Sequence, residues 1–150
     1  MVDIVHRVGA RASREDVYRA LTTIEGLASW WTMDTRGDAD PGGVIAFRFA
    51  GAPDPAGFDM KVLDAQPGEL VLWEVVDGPE EWIGTQVRFE LKEEDGYTIV
   101  LFAHLGWREV GEFMHHCSTK WATFLVSLKE QLETGTGRPA PADLQVSNWH

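Results

Sequence analysis

"EFMHHCSTKWATFLVSLKEQLET", residues 112–134, is the stretch whose period decides the fold. On a wheel of about 100° per residue, Phe113, Met114, Cys117, Trp121, Phe124, Leu125, Leu128 and Leu132 share one apolar arc. His115, His116, Lys120, Thr123 and Glu130 fall in the polar half. The spacing predicts a long amphipathic helix over about 110–134 with a single buried face. The wheel also decides what His115, His116 and Cys117 are. Adjacent helical residues do not face one another, and a helical zinc pair needs i and i+4 spacing. No metal is therefore expected. Cys117 sits among Phe, Trp and Leu and reads as a small buried hydrophobe, without the neighbouring cation a nucleophilic thiol needs.

Upstream of that helix the period is that of strands. "DIVHRVGA" (3–10) reads as a first strand, and "VIAFRFA" (44–50), "GFDMKVLDA" (57–65), "ELVLWEVV" (69–76), "IGTQVRFELKEE" (83–94) and "YTIVLFAHLGW" (97–107) as five more. The turn signals "APDPAG", "AQPG", "VDGPEE" and "EEDG" separate them. Connections this short favour an antiparallel meander. Val87, Phe89 and Leu91 alternate with Gln86, Arg88, Glu90 and Lys92, so one face is wet and the other covers a core. Ser13, with Asp16 three residues on, opens a short helix over 14–23, and a second short helix or turn follows at 24–32. "RGDADPGG" (36–43) reads as loop. The expectation is an α+β chain: about six antiparallel strands, two short helices after the first, and a long closing helix.

A chain of 150 residues is predicted to fold as a single domain over 1–135. The Gly- and Pro-punctuated tail 136–150 either packs back through Leu144, Val146 and Trp149 or hangs free. The net charge of −11 argues against nucleic acid, whose phosphates call for clustered Lys and Arg, and against anionic membranes. With no apolar run of signal or spanning length and one cysteine, Cys117, the expected compartment is the cytoplasm. Seven Trp and seven Phe against two Tyr point to large packed walls or stacking surfaces.

The order strand, two short helices, antiparallel strands, long helix resembles the helix-grip fold of the START-like SRPBCC superfamily. "SREDVYRALTTIEGLASWW", "LVLWEVVDGPEEWIGTQVRFEL" and "GYTIVLFAHLGW", with its His104, Gly106 and Trp107 ending, resemble the AHSA-type branch, homologues of the heat-shock chaperone ATPase activator. "EFMHHCSTKWATFLVSLKEQLETGTGRP" is similar to the closing helix and Gly-Pro exit of a small-protein subgroup. The resemblance spans about residues 3–140. It implies a curved sheet wrapped around the closing helix, with a mainly apolar cavity between them.

In such a fold the candidate ligand-lining residues are Trp30 and Trp31 from the short helices and Phe47, Met60, Leu72, Phe89 and Phe102 from strands. The helix adds Phe113, Cys117, Trp121 and Phe124. His104 and Glu74 are polar residues set in apolar strands, and each needs a partner, a ligand or water. His104 either orients a ligand group or bonds a backbone carbonyl. Glu74 is either an inward acid with a raised pKa or a wet-face residue. The leading expectation is a binder of a small hydrophobic or aromatic molecule. The alternatives are a cyclase or dehydratase without metal, using His104 with Glu74 or Arg48, and a chaperone ATPase-stimulating module. No cofactor is expected. A homodimer is left open. A chaperone partner is not expected, since eukaryotic activators of that kind carry a second domain before the first strand.

Overall fold

A computed structural model describes residues 1–49 and 57–150. In chain order it contains β1 (Val2–Ala10), α1 (Arg14–Thr22), α2 (Ile24–Ala28), β2 (Asp34–Gly37), β3 (Val44–Arg48), β4 (Gly57–Gln66), β5 (Leu70–Asp77), β6 (Gln86–Glu94), β7 (Tyr97–Trp107) and α3 (Glu112–Thr134). All the strands form one antiparallel sheet in the order β1-β7-β6-β5-β4-β3-β2. The sheet curves around α3 in the helix-grip arrangement. The strand count corrects the expectation: seven, not about six. The addition is β2, partly inside the stretch read as loop. Four residues are too few to display an alternation, and β2 exists through its pairing with β3, Asp34 opposite Arg48 and Gly37 opposite Ile45. Gly37 (φ +108°) is required there, because a Cβ would collide with the Val44 carbonyl oxygen. The expected "APDPAG" turn and the end of strand 44–50 lie outside the described residues, apart from Gly57.

The helices start where side chains meet their free N–H groups. Ser13 Oγ accepts from Asp16 N–H at 3.1 Å, and Val17, Ala20 and Leu21 are the buried face of α1. Asp16 does not complete a reciprocal box; its carboxylate pairs with Arg19 at 3.1 Å. Thr23 Oγ1 accepts from Gly26 N–H at 3.0 Å and opens α2. A Cβ on Gly26 would lie 2.6 Å from the Arg19 carbonyl oxygen, so the sharp α1–α2 corner needs glycine. α3 runs without a side-chain cap from Gly111 to Gly135, which stops it in the left-handed conformation at φ 85°.

α3 rests on the concave face of the sheet. His6 Nε2 meets the Ser118 carbonyl at 3.1 Å, and the Trp121 ring lies 4.5 Å from Phe102. Farther along, Ser127 Oγ donates to the Trp30 carbonyl at 2.8 Å. The segment after α3 packs back as a strap. Ala140 bridges Thr32 in parallel, donating to the Trp31 carbonyl at 2.7 Å and accepting from Met33 N–H at 3.0 Å. Arg138 N–H donates to Ser127 Oγ at 2.7 Å, and Asp143 pairs with Lys120 at 2.5 Å. Leu144 and Trp149 stay exposed.

Ser127 therefore serves two partners at once, a carbonyl of α2's exit and an N–H of the strap. Ser127→Ala strands both inside the protein and is expected to destabilise by about 1–3 kcal/mol. Urea unfolding of the two proteins checks this; a difference below about 0.5 kcal/mol overturns the clamp.

Candidate functional site

Aromatic rings occupy the space between α3 and the sheet. Trp31 is 4.2 Å from Phe47 and 4.8 Å from Trp121, ring centre to ring centre. Trp30 stacks on Trp31 at 5.6 Å, and Trp73 meets Phe89 edge-on at 5.1 Å. These are contact distances. The interior is filled by aromatic rings in mutual contact, some stacked and others tilted or edge-on.

One polar line crosses that stack. His104, on β7, is 0% exposed. Trp121 Nε1–H donates to its Nδ1 at 3.1 Å. An indole nitrogen can only donate, so Nδ1 is the acceptor and the ring proton sits on Nε2. Nε2–H then donates to Thr85 Oγ1 at 2.8 Å, and Thr85 donates to the Trp82 carbonyl at 2.5 Å. Burial pushes the His104 pKa down to about 3, so the imidazole is neutral at physiological pH. Burial likewise pushes the Cys117 thiol up to about 12, only partly opposed by the Trp82 indole N–H. The thiol stays protonated and unreactive.

Most of the residues singled out in the sequence face this interior. Trp30, Trp31, Phe47, Met60, Phe89, Phe102, His104, Cys117, Trp121 and Phe124 are buried there. Phe113 is half-buried at its rim, 6.2 Å from the Trp107 ring. Leu72 and Glu74 lie on the opposite face of the sheet. In β5 the buried residues are Val71, Trp73 and Val75, and two-residue alternation turns Leu70, Leu72 and Glu74 outward. Arg48 is held by the Asp59 carboxylate at 2.8 Å and by the Phe47 carbonyl at 3.0 Å. His104, Glu74 and Arg48 thus do not converge on one reacting position. Among the described residues no group of three or more His, Cys, Asp or Glu is placed to hold a metal.

Sequence reasoning missed Thr85, Trp82 and Trp107 as members of this wall. Trp82 lies 4.7 Å from the His104 ring and Trp107 5.0 Å from it. Trp82 belongs to the β5–β6 turn, where no periodicity reports burial. Trp107 stands at a strand end, and only the "AHLGW" ending marked it. Two shallow grooves lie outside the core. One, of about 510 Å³, runs between α3 and the strap along Ala122, Phe124 and Leu144. The other, of about 390 Å³, lies on the outer face of β1, β7 and β6 beside Val5 and Leu101.

Residues 11–133 match the family described as Activator of Hsp90 ATPase homolog 1-like protein. No curated protein matches the chain. Among solved structures the chain is similar to the Aha1 dimer from Colwellia psychrerythraea, determined in solution. Identity is 47% over 91% of this chain and 100% of that one, with a TM-score of 0.82. Protein SSP2350 from Staphylococcus saprophyticus is 19% identical over 93% of this chain and 98% of that one, at TM-score 0.72. DynU16, from the dynemicin biosynthetic locus, is 23% identical over 90% of this chain and 48% of that one, also at 0.72. The last two likenesses are of fold alone.

The neutral His104 makes stability depend on pH. Its folded pKa of about 3 lies below the ordinary 6.5, so on acidification the unfolded chain takes up a proton that the folded one refuses. Its contribution is complete above about pH 6.5 and is lost as pH falls toward 3, by up to about 1.4 kcal/mol per unit. Relative to His104→Gln, the wild-type protein should lose stability more steeply between pH 6 and pH 4 in urea unfolding. Parallel curves for the two proteins overturn the assignment.

Proposed function

The chain belongs to the family of Activator of Hsp90 ATPase homolog 1-like proteins, and on that scaffold we propose that it binds a small apolar or aromatic molecule between α3 and the concave face of the sheet. The observation that carries this reading is the run of aromatic contacts from Trp30 to Trp107, crossed by one fixed, uncharged polar line at His104. Apolar walls with a few fixed polar groups are what small-molecule sites have in common. Because rings fill the space, the ligand is admitted by parting of the two loops at the Trp82 and Trp107 end. Ile83 and Val110 stand exposed on them.

The chemistry of the site favours a binder over a cyclase or dehydratase. Both ring nitrogens of His104 are committed to hydrogen bonds, Cys117 is protonated, and Glu74 faces away. A proton carrier needs a pKa near the working pH, and His104 is far from it. Chaperone stimulation, named in the family's description, has no residue of this wall behind it. The proposed compartment is the cytoplasm, where a lone buried thiol such as Cys117 stays reduced; no helix among the described residues is long and apolar enough to cross a membrane.

A second copy of the chain is the proposed macromolecular partner. The Colwellia protein is described as a dimer, and here Val5 is 68% exposed beside Leu101 on the outer face of β1 and β7. Light scattering at micromolar concentration should give a dimer mass, reduced to the monomer by Val5→Glu. A monomeric wild-type protein overturns the pairing. For the ligand, native mass spectrometry of freshly expressed protein should show a co-purifying small molecule, and adding that molecule should raise the melting temperature and quench Trp fluorescence without turnover. Protein that is bare as isolated, with a melting temperature unmoved by a panel of apolar aromatics, overturns the binding reading.

A further inference from the structure

The Trp82 and Trp107 end of the wall holds two donors that the fold does not satisfy. Trp82 is 5% and Trp107 2% exposed, and the Nε1 atom of each is shielded from solvent with no hydrogen-bond partner. The Cys117 thiol, a weak acceptor near Trp82, makes no hydrogen bond with its N–H. The two indoles stand 6.4 Å apart at 70° to each other, and both meet the His104 ring edge to face. The contrast with Trp30 and Trp121 is instructive. Trp30 donates to the Ala20 carbonyl at 2.9 Å and Trp121 to His104 at 3.1 Å. These two indoles of the same core find acceptors; the two at the loop end do not. A buried donor left unpaired is destabilising, so a pair of them side by side marks a place for an acceptor.

The surroundings define that acceptor's charge. No Lys or Arg is buried in this wall, and His104 carries no charge at neutral pH. The loops that flank the two indoles expose Asp77, Glu80 and Glu81 on one side and Glu109 and Glu112 on the other, against Arg108. A carboxylate or phosphate entering here would be repelled at the mouth and then left without a counter-ion inside. An uncharged oxygen meets neither obstacle.

We propose that Trp82 and Trp107 form a donor pair that recognises the carbonyl oxygen of an uncharged, flat, largely apolar molecule. The pair would orient it with its ring system along the Trp121 and Phe102 faces. This inference rests on the binding reading above and names the chemical class of the ligand. The indoles supply both the stacking surface and the polar contact, so the site is assembled from side chains that otherwise look like core.

The probes are 2-acetonaphthone, its hydrocarbon analogue 2-ethylnaphthalene, and 2-naphthoate, titrated into uniformly ¹⁵N-labelled full-length protein. The ketone should bind about ten-fold more tightly than the hydrocarbon, two net hydrogen bonds' worth, and more tightly than the carboxylate. It alone should move the Trp82 and Trp107 indole N–H resonances downfield. Trp82→Phe and Trp107→Phe, which keep an aromatic ring and remove the donor, should each reduce the preference for ketone over hydrocarbon several-fold. The resonance shifts are read on wild-type protein, so the test holds even where a variant folds poorly. Equal binding of ketone and hydrocarbon with unmoved indole resonances overturns the donor pair while leaving the binding reading intact. Tighter binding of 2-naphthoate overturns the uncharged class. Failure of all three probes overturns the donor pair as well, and the native mass spectrum then decides separately whether the protein holds any ligand.

Discussion

The hydrogen-bonded line from Trp121 through His104 and Thr85 to the Trp82 carbonyl is the constraint on which the rest of the structure depends. It runs from the helix to the last strand and on to the β5–β6 turn, so it sets the position of α3 along the sheet. Apolar contacts alone would let a greasy stripe slide by a turn with little penalty, because they are non-directional. A buried imidazole permits no such slip. Moving α3 would strand the His104 Nδ1 acceptor and the Trp121 indole N–H in a dry interior, each a loss of the order of a hydrogen bond or more. The ring stack that fills the interior is registered by this line.

Much of the fold was legible because it rests on long periodic segments. The stripe of α3 and the alternation of β6 and β7 each repeat often enough to outweigh local noise, and the Ser13 cap announces α1. β2 was not legible: four residues held by a neighbour leave no pattern of their own. The inward face of Phe89 followed from alternation and those of Phe47, Phe102 and His104 only from the family resemblance, whereas Leu72 was assigned to the wrong face of β5. "LVLWEVV" is apolar at nearly every position, and only the pairing of β5 with its neighbours says which half is buried. Trp82 was illegible for a different reason. It sits in a turn, where position in three dimensions depends on tertiary contacts alone.

A full interior and a binding role are compatible when the filling is itself aromatic. In the proposed mode the rings part and exchange contacts with one another for contacts with the ligand, so the exposed aromatic faces regain a partner. In the proposed binding mode, entry falls on the turn 78–85 and the link 108–111, connections outside the helices and strands. Local openings are drawn from such weakly ordered segments. The strap over Trp31, clamped by Ser127 and the part-buried Lys120–Asp143 pair, ties α2 to α3.

Three pairs of indoles in this core lie almost face to face: Trp30 with Trp31 at 15°, Trp31 with Trp73 at 11°, and Trp82 with Trp121 at 13°, at ring separations of 5.6–6.1 Å. Chromophores so close and so nearly parallel couple their electronic transitions, and the coupling is chiral wherever the folded chain holds a pair in one fixed asymmetric arrangement. The folded chain therefore writes its side-chain packing into the near-ultraviolet circular dichroism, the region that a compact but loosely packed state leaves blank. The Trp82–Trp121 couplet borders the proposed entry and the Trp30–Trp31 couplet lies beside the strap, so one spectrum carries the packing of both places.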